Sequence, residues 1–378
     1  MKVNILLEAL INVSEKGANI ARIIRSESSL LELLVQEKKG DQKNNRFVKD
    51  FKTLADVLVQ EVVRYDLKSK FPGIGESIYG EESNRFTNTL GDKVTVEIQD
   101  TPEKTRTLLR QVLDGNEKAA HILSEVIHHD VQMSDRCHIT DLDFDLAVEE
   151  IGVWIDPIDS TAQYIQGDEG TVIDGLVSEG LQCVAVLIGV YDKTTGLPLI
   201  GVTNQPFYQL EGSRWTGNIT WGVCIGETKI NSLQGTNVSK NSPAKTVLIS
   251  SSESEQVKDT LSKAFTLRHI SGAGYKLLGV CQNLAEAYLL TKSSNYKWDC
   301  CGPHAVLRSM GGGIIKYTDL YSHVKSGLNE FDGLEQLKYH IPDDPDNSGA
   351  QRWCNQWGIV AYKSPEVLNK IAKVVKDI

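Results

Sequence analysis

The chain has 378 residues, 40% hydrophobic and 24% charged, an ordinary globular balance that suits one large or two smaller packed units. Its net charge of −10 and the lack of a Lys/Arg-rich block argue against a general nucleic-acid or anionic-membrane surface, because neutralising phosphates needs clustered cations. A small anionic substrate is not excluded if metal ions or a few local lysines offset the charge. From the N-terminus, Val3, Leu6, Leu7, Leu10 and Ile11 keep helical spacing while Glu8 and Asn12 interrupt the apolar run, so this segment reads as an amphipathic helix, not a secretion signal. The first seventy or so residues read as helices. In the second, Leu54, Leu58, Val62 and Tyr65 share a face, Thr53 is the expected N-cap with Asp56 three residues on, and Phe71-Pro72-Gly73 stops the pattern.

A strand and turn are expected in FPGIGESIYGEES. Residues from about 83 to 150 are polar and uneven, with two short helices, TPEKTRTLLRQVL and NEKAAHILSEVIHH, and an acidic loop, DLDFDLAVEE; they read as an insertion over the core. From Gly152 the pattern becomes strands separated by Gly, Asp and Thr turns, as in an antiparallel meander. The run CVAVLIGV within it is too short to span a bilayer. The Ser/Asn/Pro stretch SLQGTNVSKNSPAK divides the chain into units 1–238 and 239–378. Beyond it TVLISSS, EQVKDTLSKAF, LRHISGAG, YKLLGVCQNLAEA and AYLLT alternate strand and helix. A helix from about Pro303 to Met310, the strand IIKYTD and the closing helix PEVLNKIAKVVKDI follow, which indicates a partly parallel sheet flanked by helices. Seven cysteines with irregular spacing and no C-x-x-C pair read as reduced thiols of a cytoplasmic protein.

The stretch WIDPIDSTAQYIQG carries the sharpest chemical signal. Pro157 biases Asp156 toward extended backbone, so the strand is expected to end there and a turn to return Asp159 to the same side. Ser160, Thr161 and Ala162 would open a helix whose free amides suit an anion. Two carboxylates and the Ile158 carbonyl suit a hard divalent cation such as Mg²⁺; alone, the same residues also fit a capped helix start. Glu81 and Glu82 sit at a turn after Gly80, and Asp299 lies between Trp298 and the expected helix, where Trp298 would bury it. If Asp56, Glu81, Asp156, Asp159 and Asp299 converge, their repulsion demands divalent ions. Two ions roughly 4 Å apart activate water and hold a phosphate for in-line hydrolysis.

Together D-P-I-D-S-T at 156–161, G-E-E-S at 80–83 and W-D-x-x-G-P-H at 298–304 resemble the lithium-sensitive, Mg²⁺-dependent phosphatase superfamily. That group includes inositol monophosphatases, fructose bisphosphatases and bisphosphate nucleotidases. The resemblance runs from about Leu33 to the C-terminus, and Ser160 with its flanking segments is most similar to the branch that removes the 1-phosphate from inositol 1,4-bisphosphate and inositol 1,3,4-trisphosphate. It implies an α/β (α+β) fold, a five-layer αβαβα sandwich with an antiparallel-sheet subdomain and a mostly parallel-sheet subdomain. Two or three Mg²⁺ ions would be held by Glu81, Asp156, Asp159, Asp299 and the Ile158 carbonyl, with Glu82 accessory, and Li⁺ would inhibit. Asp56 and Thr161 would deprotonate the attacking water. Ser160, Thr161, Ser250, Ser252, Gly272 and Lys276 would contact the substrate, an inositol polyphosphate, with no nucleic acid or membrane partner and a monomeric chain. Lys297 is expected at the surface and His304 in the core. The same metal residues would serve a 3′(2′),5′-bisphosphate nucleotidase, and a non-catalytic inositol phosphate binder is the alternative outside enzymes.

Overall fold

The structure is a computed structural model and describes residues 1–26, 35–42, 51–88, 90–131, 142–234, 245–328, 331 and 333–378. Three apolar clusters account for its layering. The first packs the helices Val3–Ser26 and Leu54–Lys70 on one face of a six-stranded sheet, through Leu6, Leu10, Leu58 and Val62 against Val153, Ile155, Val186 and Ile188. The second fills the space between that sheet and a five-stranded one. It contains the helices Ala273–Cys281 and Lys297–Ser309, Trp154 from the first sheet, and Leu248, Tyr288, Leu290 and Ile359 from the second. The third packs the helices Glu255–Ser262, Tyr317–Lys325 and Pro365–Val375 against Val247, Ile249, Leu289 and Val360. Adjacent strand residues such as Leu248 and Ile249 thus serve opposite clusters, as the alternation of a strand buried on both faces requires. The result is the expected five-layer αβαβα sandwich.

In the six-stranded sheet the spatial order runs Thr228–Asn231, Arg214–Ile225, Pro198–Glu211, Ala185–Asp192, Ile151–Asp159, Ile78–Gly80. All neighbours are antiparallel except the last pair. The meander is therefore present. The segment after residue 83 holds the two expected helices, Pro102–Val112 and Glu117–His128, capped by Thr101 and Asn116. The boundary read at 238/239 lies outside the described residues.

The five-stranded sheet is mostly parallel in strand direction, as expected: Thr246–Ile249 pairs in parallel with Thr266–His269 and Ala287–Leu290, and only Ile359–Tyr362 runs antiparallel, to both its neighbours. Sequence reading passed over Ile359–Tyr362, which enters the sheet from the far end after a long excursion beyond Lys316. Two local expectations change. The helix expected from Pro303 begins instead at Lys297 and carries Pro303 inside it. Its early start is held by the Asp299 side chain, which accepts the Tyr296 amide at 2.6 Å, and by burial of Trp298. Lys297, expected at the surface, is fully buried, because its ammonium meets Asp343 at 3.2 Å. His304 is in the core as expected. The Lys297–Ser309 helix lies against the first sheet at glycines: a Cβ on Gly201 would stand 1.9 Å from the Gly302 carbonyl oxygen.

Candidate metal and substrate site

The strand Ile151–Asp159 does not end at Asp156. It continues through Pro157 with a bulge, since Asp156 faces Leu187 and Asp159 faces Ala185, three residues against two. Residues three apart on a regular strand point to opposite faces, and the extra residue brings both carboxylates to the same side. Ser160 follows in left-handed backbone, φ 70°, at the N-cap position of the helix Thr161–Gln166, its side chain making no capping hydrogen bond. Across the gap Asp299 stands in the first turn of the Lys297–Ser309 helix, under Trp298, whose ring stacks on Tyr296 at 4.6 Å. Oxygen atoms of Asp156, Asp159 and Asp299 lie within 4.8 Å of one another. The trio is buried, and Asp156 Oδ1 has no hydrogen-bond partner.

This crowding acts on the carboxyls. Burial, then the charges of Glu81, Asp159 and Asp299, drives Asp156 well above the ordinary carboxylate range. Burial, then Asp159 and Glu81, does the same to Asp299, and the Asp156 and Asp299 carboxyls face each other closely enough to share a proton. Asp159 is raised by burial to about 6, with Lys276 and the Tyr275 amide at 3.3 Å pulling the other way. Three oxygen donors with a desolvated, unpartnered atom between them fit a hard divalent cation. They carry no sulfur or imidazole that would select a softer one.

The other expected residues fall around the same cavity, of ≈ 340 Å³. It is lined by Glu81, Ile158, Ser160, Thr161, Ser250, Ser251, Gly272, Lys276, Ser294 and Tyr296 as well as the trio. Thr161 Oγ1 stands 3.2 Å from Asp56 Oδ1 and 3.1 Å from the Ile158 carbonyl oxygen, either of which can accept its proton. Asp56 is itself held by Thr53, whose amide and hydroxyl donate to Oδ2 at 2.7 and 2.6 Å. The expected cap therefore exists and leaves Oδ1 for Thr161. Burial raises Asp56 to about 6. Gly272, at φ 78°, passes so close that a Cβ would lie 2.4 Å from Ser160 Oγ and 2.7 Å from Asp159 Oδ2.

Some placements differ from expectation. The Lys276 ammonium donates to the Ile270 and Gly272 carbonyls, at 3.0 and 2.7 Å, and so braces the glycine loop as well as adding charge. Ser252 does not line the cavity; its hydroxyl sits 2.9 Å from that of Ser250, which does. Glu82 is buried away from the trio, beside a second cavity, and is raised to about 8 by burial against the pull of Lys38. Lys38, which the sequence did not single out, pairs with both Glu81 and Glu82, reaching Glu81 at 2.7 Å. It lies in the polar run QEKKGDQ, where no periodicity separates a buried lysine from a solvated one. Ser251, Ser294 and Tyr296 were also missed, for lack of any local motif.

The chain is 46% identical to inositol polyphosphate 1-phosphatase of Mus musculus, over 99% of this chain and 98% of that one. It is 42% identical to the Homo sapiens protein of the same name, over 95% and 94%. In fold it is similar to the extragenic suppressor protein suhB of Bartonella henselae, with a TM-score of 0.54 and 11% identity, covering 98% of both chains. The description "Inositol monophosphatase family" matches residues 7–337, more than half of the sequence, and the chain belongs to that family.

Proposed function

We propose that the chain is a Mg²⁺-dependent, Li⁺-inhibited phosphomonoesterase that removes the 1-phosphate from inositol 1,4-bisphosphate and inositol 1,3,4-trisphosphate. The observation that carries this reading is the convergence of Asp156, Asp159 and Asp299 beside the Thr161–Asp56 pair. Near-full-length similarity to inositol polyphosphate 1-phosphatases supports the substrate. Glu81, Asp156, Asp159, Asp299 and the Ile158 carbonyl would hold two or three ions, with Glu82 accessory through its neighbour Glu81. Mg²⁺ at these carboxylates supplies Lewis-acid stabilisation of phosphate charge. Thr161 Oγ1 takes a proton from the attacking water while passing its own to Asp56 Oδ1; a threonine hydroxyl is too weak a base without that acceptor. Ser160 Oγ, buried and without a hydrogen-bond partner, donates to the reacting phosphate. Gly272 lets the phosphate approach the backbone, Lys276 offsets its charge, and Ser250, with Ser252 behind it, meets the ring or its further phosphates.

Li⁺ inhibition is expected because it brings half the charge of Mg²⁺ to the same carboxylates. Among the described residues every cysteine is a free thiol, which suits a reducing, cytoplasmic compartment, and no helix is long and apolar enough to cross a membrane. A monomer acting on a small molecule, with no nucleic acid or membrane partner, completes the reading. The test is phosphate release from both inositol phosphates and from adenosine 3′,5′-bisphosphate, with and without Mg²⁺ and Li⁺. A higher kcat/KM for the nucleotide would replace the reading with a bisphosphate nucleotidase. No turnover of any of them would leave a non-catalytic binder.

A further inference from the structure

The three carboxylates ride on different layers. Asp156 and Asp159 belong to a sheet strand and Asp299 to a helix of the middle layer, so no hydrogen-bond ladder sets the spacing between them. One segment, residues 337–343, touches both carriers two residues ahead of the acids. Trp154 Nε1 donates to the Tyr339 carbonyl at 3.0 Å, and the buried Lys297 ammonium meets Asp343 Oδ1 at 3.2 Å. The Tyr339 hydroxyl also sits 2.9 Å from His304 Nδ1, on the Asp299 helix. The segment is anchored to the second sheet and to a turn of the first: the Leu337 amide donates to the Ile314 carbonyl at 2.8 Å, and the Tyr339 amide to the carbonyl of Gly196, between the strands Ala185–Asp192 and Pro198–Glu211, at 2.9 Å. Lys316 reaches Asp343 from outside at 3.6 Å. A buried ion pair adds little stability over a packed apolar pair; here its directional contact ties Asp343 to the first residue of the Asp299 helix.

We propose that residues 337–343 form a brace that sets the separation of the Asp156 and Asp299 carboxylates, with Trp154, Lys297 and Asp343 as positioning residues for the metal centre. None of the three lines the substrate cavity. The inference rests on the metal-dependent reading above. Groups that orient ligands from behind change metal affinity or activity by roughly 10–100-fold when removed.

The test titrates Mn²⁺ into the full-length protein, followed by electron paramagnetic resonance, alongside thermal unfolding and phosphate release from inositol 1,4-bisphosphate. Lys297→Met/Asp343→Leu replaces the ion pair with apolar groups of similar length. It is expected to unfold within a few degrees of wild type yet bind Mn²⁺ roughly 10–100-fold more weakly, with kcat falling more than KM changes. Trp154→Phe keeps the ring, loses the bond to Tyr339, and should weaken Mn²⁺ binding several-fold. A folded double variant with the wild-type Mn²⁺ Kd overturns the brace. If the double variant does not fold, Trp154→Phe decides, and a wild-type Kd there overturns it equally. Wild-type protein that binds no Mn²⁺, or an Asp299→Asn variant that binds it normally, refutes the metal reading itself, an outcome separate from failure of the brace alone.

Discussion

Substituting Gly272 with alanine separates backbone strain from damage to the site. At φ 78° an L-residue is strained, which costs about 1–3 kcal/mol. Over 378 residues, an unfolding entropy of about 2.1 cal/mol/K per residue turns that into a fall of roughly 1–4 °C in Tm. The added Cβ would also stand 2.4 Å from Ser160 Oγ and 2.7 Å from Asp159 Oδ2. Restoring a contact of about 3.4 Å moves these atoms by about 1.0 and 0.7 Å. Neither yields without loss to the site: Ser160 Oγ, which has no hydrogen-bond partner, would turn away from the phosphate position, and Asp159 Oδ2 would pull away from the Tyr275 amide. Displacements near 1 Å at reacting groups cost on the order of 10²-fold in rate, so kcat for phosphate release from inositol 1,4-bisphosphate should fall about that far. Gly311→Ala is the control, because Gly311 has φ 92° and nothing within 4 Å of the added Cβ. It should show the same few degrees of lost Tm and unchanged kcat. Equal kcat in the two variants would refute the reasoning.

The remaining expectations concern protons and charge. Thr161→Ala should lower kcat roughly 10²–10⁴-fold with little change in Tm, and Asp56→Asn should lose both, since it also breaks the Thr53 cap; stopped phosphate release and thermal scans distinguish them. Asp159→Asn removes one of three crowded carboxylates. In EDTA at pH 7.5 it should stabilise the protein by about 1–3 kcal/mol in urea titrations, because a carboxyl raised to about 6 from its ordinary 3.8 destabilises the fold once pH exceeds both values. The gain should reverse in Mg²⁺, where wild type alone keeps the full ligand set. His304 is driven to about 3 by burial, against an unfolded value near 6.5. The unfolded chain therefore takes up a proton below pH 6.5 that the folded chain refuses, so this contribution is intact above pH 6.5 and falls by about 1.4 kcal/mol per unit toward pH 3. Between pH 7 and 5, wild type should lose about 2 kcal/mol more than His304→Gln; equal losses would disprove the assignment.

How far the sequence revealed this molecule depended on how local each cause was. The Thr53–Asp56 cap, the amphipathic first helix and the two capped helices after residue 100 rest on side chains a few positions apart, and these were legible. The pairing of Asp156 with Asp159 was legible for a partly different reason than the real one. Pro157 signals a break in regular strand, but a bulge, not a strand end, turns the second carboxylate inward. Lys297 was misread because lysine is ordinarily solvated and its partner, Asp343, lies 46 residues downstream. Lys38 was invisible for the same reason, its partners being Glu81 and Glu82. Pro303 looked like a helix start because that is where proline costs least; here the burial of Trp298 and Lys297 extends the helix upstream of it. Chain direction in the second sheet depended on one strand with no distinguishing pattern.

The same division explains why the site is built as it is. Three buried carboxylates within 4.8 Å repel one another and weaken the fold around them. They persist only if the elements beneath them resist moving apart. Each carrier is fixed by something other than the acids themselves, a strand bulged between two neighbours and a helix pressed onto the sheet at Gly201 and Gly302, and the glycine loop that passes beside them is held by the Lys276 ammonium. Local rules of sequence describe the unstrained parts of such a chain well. Where charge is concentrated against those rules, the compensation comes from distant residues, and there only the folded arrangement explains which side chains matter.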